Sequence, residues 1–179
     1  TLSDKVLDRA TVITFPRPSE LIFALKQDQS TKTNEYLTFE LFEAWSQPKN
    51  IEDQEGLENL LNTANEILSE VDRSFAHRVA QGIVKYVRIY PGVDAKDDDM
   101  KKVRRQEAIG DQFAQKIITK LKGLPLDETV LQVLIRFDNE VIAEIGDPLL
   151  QAAFKEAYEH TGYSFNWKGL SYETQEQNS

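Results

Sequence analysis

The sequence predicts a mainly α protein, a bundle of about four to five helices preceded by a short helix and one strand. Three observations predict it. Between Leu57 and His160 apolar residues return at i, i+3, i+4 and i+7, the period of one face of a helix. Aspartate, serine or proline stands ahead of several of these runs, and glycine closes three of them. The one β-branched run of strand length, Thr11 to Phe15, stands alone near the start, with nothing obvious downstream to pair with.

A chain of 179 residues is expected to form one domain, or one and part of another. At that length it buries roughly 70% of its unfolded surface and needs no staples. The mean hydropathy of -0.48 is that of a soluble globular protein, and no apolar run approaches the ~20 residues that cross a bilayer. No basic and apolar signal segment is present. With no cysteine the sequence has no disulfide and no thiolate metal site, and His77 and His160 alone leave little for zinc. The expected compartment is a reducing cytoplasm. A net charge of -9 and a pI near 4.8 argue against wrapping nucleic acid, which needs a positive surface. The cluster from Lys101 to Arg105 runs against that balance, but it follows Asp97-Asp98-Asp99 and reads as a mixed-charge loop whose charges cancel.

Ser3 caps a short helix through Arg9, and Pro16 ends the strand Thr11 to Phe15. Ser19 caps a second short helix, Glu20 to Lys26, and residues 27–35 are a polar loop. Tyr36 to Trp45 is ambiguous between strand and helix, with helix favoured from Phe39 onward; Pro48 to Gly56 is an acidic connector. Leu57, Leu60, Leu61, Ala64, Ile67, Leu68 and Val71 then form one helical stripe. After a break of two or three residues, Ser74 to Tyr90 places Phe75, Val79, Ile83, Tyr86, Val87 and Tyr90 on one side and Gln81, Lys85 and Arg88 on the other. Arg78 falls on the border. It is either a solvated cation or a guanidinium aimed at a phosphate or carboxylate bound beside the helix.

From Pro91 a charged loop is expected, with helix resuming by Glu107. Ile109, Phe113, Ile117 and Leu121 follow at steps of four, and Gly123 stops the run behind Lys120 and Lys122. Asp127 caps the next helix. Its stripe of Val130, Leu134, Phe137, Val141 and Ile145, widened by Leu131, Ile135 and Ile142, suits a central position. Gly146 ends it, and Asp147-Pro148 opens a last helix to about His160. Tyr163, Phe165 and Trp167 can then lie over an open end of the bundle, ahead of a polar, frayed tail.

The sequence contains no phosphate loop of the form G-x-x-x-x-G-K-[ST], no G-x-G-x-x-G and no H-E-x-x-H. Asp97 to Asp99 lacks the glycine and distal glutamate of a calcium loop. Asp127-Glu128 is a helix start rather than a catalytic pair.

Against this background, L-S-D-K-V-L-D-R-A-T-V-I-T-F at 2–15 resembles the segment of an AAA+ ATPase in which a short helix ends in an arginine ahead of a core strand. S-F-A-H-R-V at 74–79 resembles the start of the lid helix that carries the sensor-2 arginine. The run E-A-I-G-D-Q-F-A-Q-K-I-I-T-K-L-K-G at 107–123, with G-Y-S-F-N-W at 162–167, is similar to the McrB branch, the nucleotide-driven motors of modification-dependent restriction systems. The resemblance implies the end of an AAA+ large subdomain at 1–18, a variable connector at 19–56, a helical lid at 57–170 and a disordered tail at 171–179. It implies an arginine finger at Arg9, reaching the γ-phosphate held by a neighbouring subunit, and a sensor at Arg78, touching the nucleotide of its own subunit. Arginine suits both roles because it is always charged and its planar fork binds phosphate oxygens in pairs. GTP or ATP with Mg²⁺ is the implied cofactor of the full-length protein, with none expected on this stretch alone. The implied partners are a homo-oligomeric ring, expected to be hexameric, a nuclease subunit, and DNA through other domains, with no membrane.

The residues alone also allow an independent helical interaction module that docks through its C-terminal aromatics. They allow, third, a helical domain that binds DNA through Lys101 to Arg105. Without the resemblance Arg9 reads as a cation at a helix end, where the macrodipole favours it.

Overall fold

Six helices carry the described part of the chain, which in this computed structural model comprises residues 10–12, 36–49, 51, 53–160 and 162–170. They are α1 (Phe39–Ser46), α2 (Gln54–Ser69), α3 (His77–Ile89), α4 (Asp98–Gln112), α5 (Glu128–Phe137) and α6 (Pro148–Glu159). The mainly α architecture is thus as the apolar periods require. The helix through Arg9, the helix Glu20 to Lys26, the loop 27–35, residues 13–15 of the strand and the tail lie outside the described residues. Thr11 and Val12 form no strand, and the described residues hold only an isolated antiparallel bridge between Pro125 and Ser164.

The start signals read from sequence form as expected at α5 and α6. Asp127 accepts a hydrogen bond from the N–H of Val130, and Asp147 accepts from Leu149 and Leu150. Gly146 stops α5 with φ of 73°, a left-handed conformation that costs glycine little. Gly110 matters for a different reason: α4 runs so close to the cap of α6 that a Cβ there would sit 2.4 Å from Asp147 Oδ2.

Three boundaries differ from the sequence reading. The stretch after Pro91 is not a loop to Glu107. Asp97 caps α4 by accepting from Met100 N–H at 2.8 Å, and Asp98 and Asp99 sit in its first turn, where the macrodipole favours anions. The acidic triplet is therefore a helix start, and Lys101 to Arg105 are helical. The connector ends sooner than expected, because Asp53 caps α2 at Gln54. The break between α2 and α3 spans residues 70–76 rather than two or three. Asp72 turns through a φ of 55°, and the N–H of Phe75 is held by Asn65 Oδ1 at 2.7 Å.

Two of the core helices run on into a π turn, α4 into Phe113–Ile117 and α5 into Asp138–Ile142, and α4 and α5 hereafter include these continuations. A 3₁₀ turn, Ile118–Leu121, finishes α4, and Ala143–Ile145 finishes α5. Ile109, Phe113, Ile117 and Leu121 are all buried, as are Leu134, Phe137, Val141 and Ile145. Val130 and Leu131 are only partly buried, and Ile135, expected to widen the stripe, is exposed. Ile135 stands ~100° round from Leu134, on the flank of the stripe, while Asp138, four residues after Leu134, faces inward where the π turn begins.

The helix α5 is central, packing against α2, α4 and α6, while α3 lies between α2 and α4. The C-terminal strap closes one end. Its Phe165 exchanges backbone hydrogen bonds with Gly123 and Leu124 at 2.9 and 2.8 Å, and Tyr163 accepts from Leu126. Phe165 packs on Phe154, which also meets Phe137 and Tyr158 at ring separations of 5.4 to 5.6 Å. Phe165 and Trp167 are fully buried and only Tyr163 faces solvent, so the strap's aromatics belong to the core and are not a docking face. Replacing Trp167 with alanine is accordingly expected to cost about 3–5 kcal/mol, read as a lowered urea midpoint at unchanged slope.

Candidate functional site

Five of the six described helices begin with a side chain capping their free amides: Thr38, Asp53, Asp97, Asp127 and Asp147. The exception is α3. Ala76 holds the N-cap position with suitable backbone angles, φ -74° and ψ 155°, but has no oxygen to offer, and the first turn carries no acid. The carbonyl of Ala76 takes the N–H groups of Val79 and Ala80. The amides of His77 and Arg78, ahead of these, meet no capping side chain.

Arg78 occupies the second position of this uncapped turn. Its side chain is exposed and has no hydrogen-bond or ion-pair partner among the described residues. A cation at a positive helix end is unfavourable by ~0.3–1 kcal/mol, so this placement does not serve the helix. Open amides, the positive dipole end and a guanidinium are features of the kind that favour an anion. The arginine read from sequence as a border residue therefore stands free at the head of α3. Arg9 lies outside the described residues.

Beside this turn runs a groove of about 570 Å³ between α2 and α3. Leu61, Ala80 and Val84 give it an apolar floor, and Pro48 closes one end. His77, Lys85 and Arg88 stand along its α3 rim, and Glu58 along the α2 rim. His77 and Gln81 hydrogen-bond through Nε2 atoms at 3.0 Å. Arg88 is partly buried because its Nε donates to the carbonyl of Lys49. The sequence stripe named Gln81, Lys85 and Arg88 as the outer face, but the groove depends on α2 and Pro48 lying alongside, which periodicity does not encode.

Two further polar features escaped the sequence reading. Asp138 is 6% exposed in the π turn of α5; Oδ2 accepts from Tyr158 at 2.7 Å, while Oδ1 has no partner. Burial, and then this neighbouring carboxylate, push the Tyr158 phenol far above its ordinary range. Tyr86 on α3 reaches toward Asp111 at 3.4 Å, and burial followed by the Asp111 charge pushes its phenol up to about 12. These pairs tie helices together.

The basic cluster is largely neutralised. Lys101 pairs with Asp98, Arg104 with Glu107, and Arg105 with Asp53 across to α2. Its charges cancel as expected, though on a helix rather than in a loop. Among the described residues no three His, Asp or Glu side chains converge to hold a metal ion. No described helix is long and apolar enough to cross a membrane.

Over residues 27–160 the chain matches a family described as a domain of unknown function, DUF8727, and it belongs to that family. No curated protein and no solved structure matches it.

Giving α3 the missing cap tests whether its open end is a stability sacrifice. Ala76→Ser is expected to raise stability by about 1 kcal/mol in urea unfolding. The Tyr86 contribution has a definite sign. A phenol whose folded value is raised stabilises fully below pH 10, its ordinary value, and loses that contribution as pH rises through about 12. Tyr86→Phe is thus expected to flatten part of the fall in unfolding midpoint between pH 10 and 12.

Proposed function

We propose that this chain is the helical lid of a McrB-like AAA+ motor, a GTPase or ATPase of a DNA restriction and defence system acting in the cytoplasm. The observation that carries the reading is Arg78, exposed and without a partner among the described residues, in the first turn of the one described helix that has no cap. That is the electrostatic arrangement a triphosphate requires, and it coincides with the position that resembles sensor 2. Arg78 binds the nucleotide of its own subunit; Arg9 acts as the finger toward the neighbour's γ-phosphate. The phosphate loop and the acidic Mg²⁺ site are absent from this sequence and come from an AAA+ core elsewhere in the protein or its assembly. The assembly is a ring, working with a nuclease subunit and reaching DNA through other domains. Tilting of a lid held between nucleotide and neighbour converts hydrolysis into movement of the bound partner.

Support also comes from what the surface lacks. The C-terminal aromatics are in the core, and the cations of the 101–105 cluster are mostly paired, so neither of the other two readings retains its carrying feature.

The test is steady-state GTP and ATP hydrolysis by the complete gene product with its partner subunits. Arg9→Ala is expected to lower the rate about 10³-fold or more, as loss of an arginine finger does. Arg78→Ala is expected to lower it by roughly 10²-fold, the scale of one lost charge-stabilising donor. Rates unchanged in both variants, or no hydrolysis of either nucleotide by the intact assembly, would overturn the proposal.

A further inference from the structure

The helix α1 is the least covered element of the described chain. None of its residues is buried, and Phe39, Leu41, Phe42 and Trp45 are 72%, 43%, 55% and 60% exposed. At ~100° per residue these four side chains share one face, bordered on the Phe39 side by Glu43 and then Glu40 and on the other by Ala44. An eight-residue helix is too short to persist in water on propensity, and an apolar face of this size marks a contact surface.

The same chain carries a surface that fits this face. The groove between α2 and α3 has an apolar floor, three basic or imidazole side chains on one rim and Glu58 on the other. An α1 laid in it with the Glu43 border toward α3 brings Glu43 to the side of His77, Lys85 and Arg88, while Glu40, opposite the apolar face, points to solvent. It leaves Ala44 beside Glu58. The reverse orientation would set acid against acid, so the charges select one direction. Lengths agree as well: eight residues of α1 span about 12 Å, and α3 from His77 to Arg88 spans about 16 Å.

The helix cannot reach its own groove. Lys49 is fixed to α3 by two backbone-level hydrogen bonds, its N–H to the carbonyl of Arg88 and its carbonyl from Arg88 Nε. Pro48 already forms part of the groove wall, and only Gln47 separates it from Ser46. As the residue before a proline, Gln47 is confined to extended angles, which it adopts at φ -68° and ψ 124°. The tether therefore has no slack for α1 to turn back.

We infer that α1 is an exchange arm that docks in the α2–α3 groove of a second copy of this chain. The inference stands on α1 and the groove and does not require the nucleotide reading. Reciprocal exchange gives a closed dimer and head-to-tail exchange gives a ring, and either satisfies it.

The natural absence of cysteine makes a clean test possible. A Phe42→Cys copy carrying heavy nitrogen is mixed with an unlabelled Val84→Cys copy, oxidised, and digested for mass spectrometry. The expected product is a disulfide peptide joining position 42 of the heavy copy to position 84 of the light one. In sedimentation velocity the unmodified chain is expected to associate with rising concentration. Trp45→Asp should abolish that association with circular dichroism unchanged, and Lys85→Glu should raise the dissociation constant roughly tenfold. A chain that stays monomeric at every concentration, no 42–84 link between heavy and light copies, or association indifferent to both substitutions overturns the inference. Association by an intact assembly that hydrolyses neither GTP nor ATP would fault the motor reading and leave this one intact.

Discussion

A constraint on the two central runs is the mismatch between a four-residue apolar step carried along a long helix and 3.6 residues per turn. Each step of four advances the stripe by ~40°, so Ile109, Phe113, Ile117 and Leu121 would wind about a third of the way round a regular helix. The same holds for Phe137, Val141 and Ile145 in α5. A turn that closes i to i+5 takes more residues per revolution and winds the stripe back. Both π turns fall inside these runs, and all seven residues are buried. Asp138, where the second of these turns begins, is also buried, and the Tyr158 hydroxyl satisfies one of its oxygens. Since α5 contacts α2, α4 and α6, the remaining core is arranged around that correction.

With the apolar faces turned inward, the outer surface separates into two kinds of polar feature. Most are self-satisfied: aspartates cap their own helices, and the cations of α4 meet carboxylates three residues away or on α2. Exposed pairs of this sort contribute little stability, but they offset three of the four cations between Lys101 and Arg105. The head of α3 is different in kind. Its amides, its dipole and Arg78 all carry the same sign, and nothing among the described residues offsets them. The arm α1 is likewise unbalanced, apolar on one face and acidic on its border.

Local chemistry was legible wherever a residue acts on its own backbone. Asp127, Asp147 with Pro148, Gly123 and Gly146 each start or stop a helix through one hydrogen bond or one left-handed φ, and each did so where the sequence placed it. The same chemistry was misread at Asp97, where a dense run of charge obscured a cap, and at Asp53, hidden in an acidic connector. The inward faces of α2 and α3 came from periodicity, because Leu57, Leu61, Ala64, Val79, Ile83 and Val87 keep a regular helical step. Ile135 and Asp138 did not, because Ile135 lies on the flank of its stripe and Asp138, four residues after Leu134, turns inward although its residue type favours solvent.

By itself, then, the sequence determined a helical bundle, most of its caps and stops, and the standing of Arg78 beside an apolar stripe, since all of these are set within a few residues of chain. Tertiary structure alone decided that α3 is the described helix left uncapped, that Phe165 and Trp167 close the core, and that Pro48, α2 and α3 enclose a groove beside a bare arm. Those depend on which surfaces meet across many residues, where small rotations of whole helices choose the partners and a pattern read one helix at a time contains no such information.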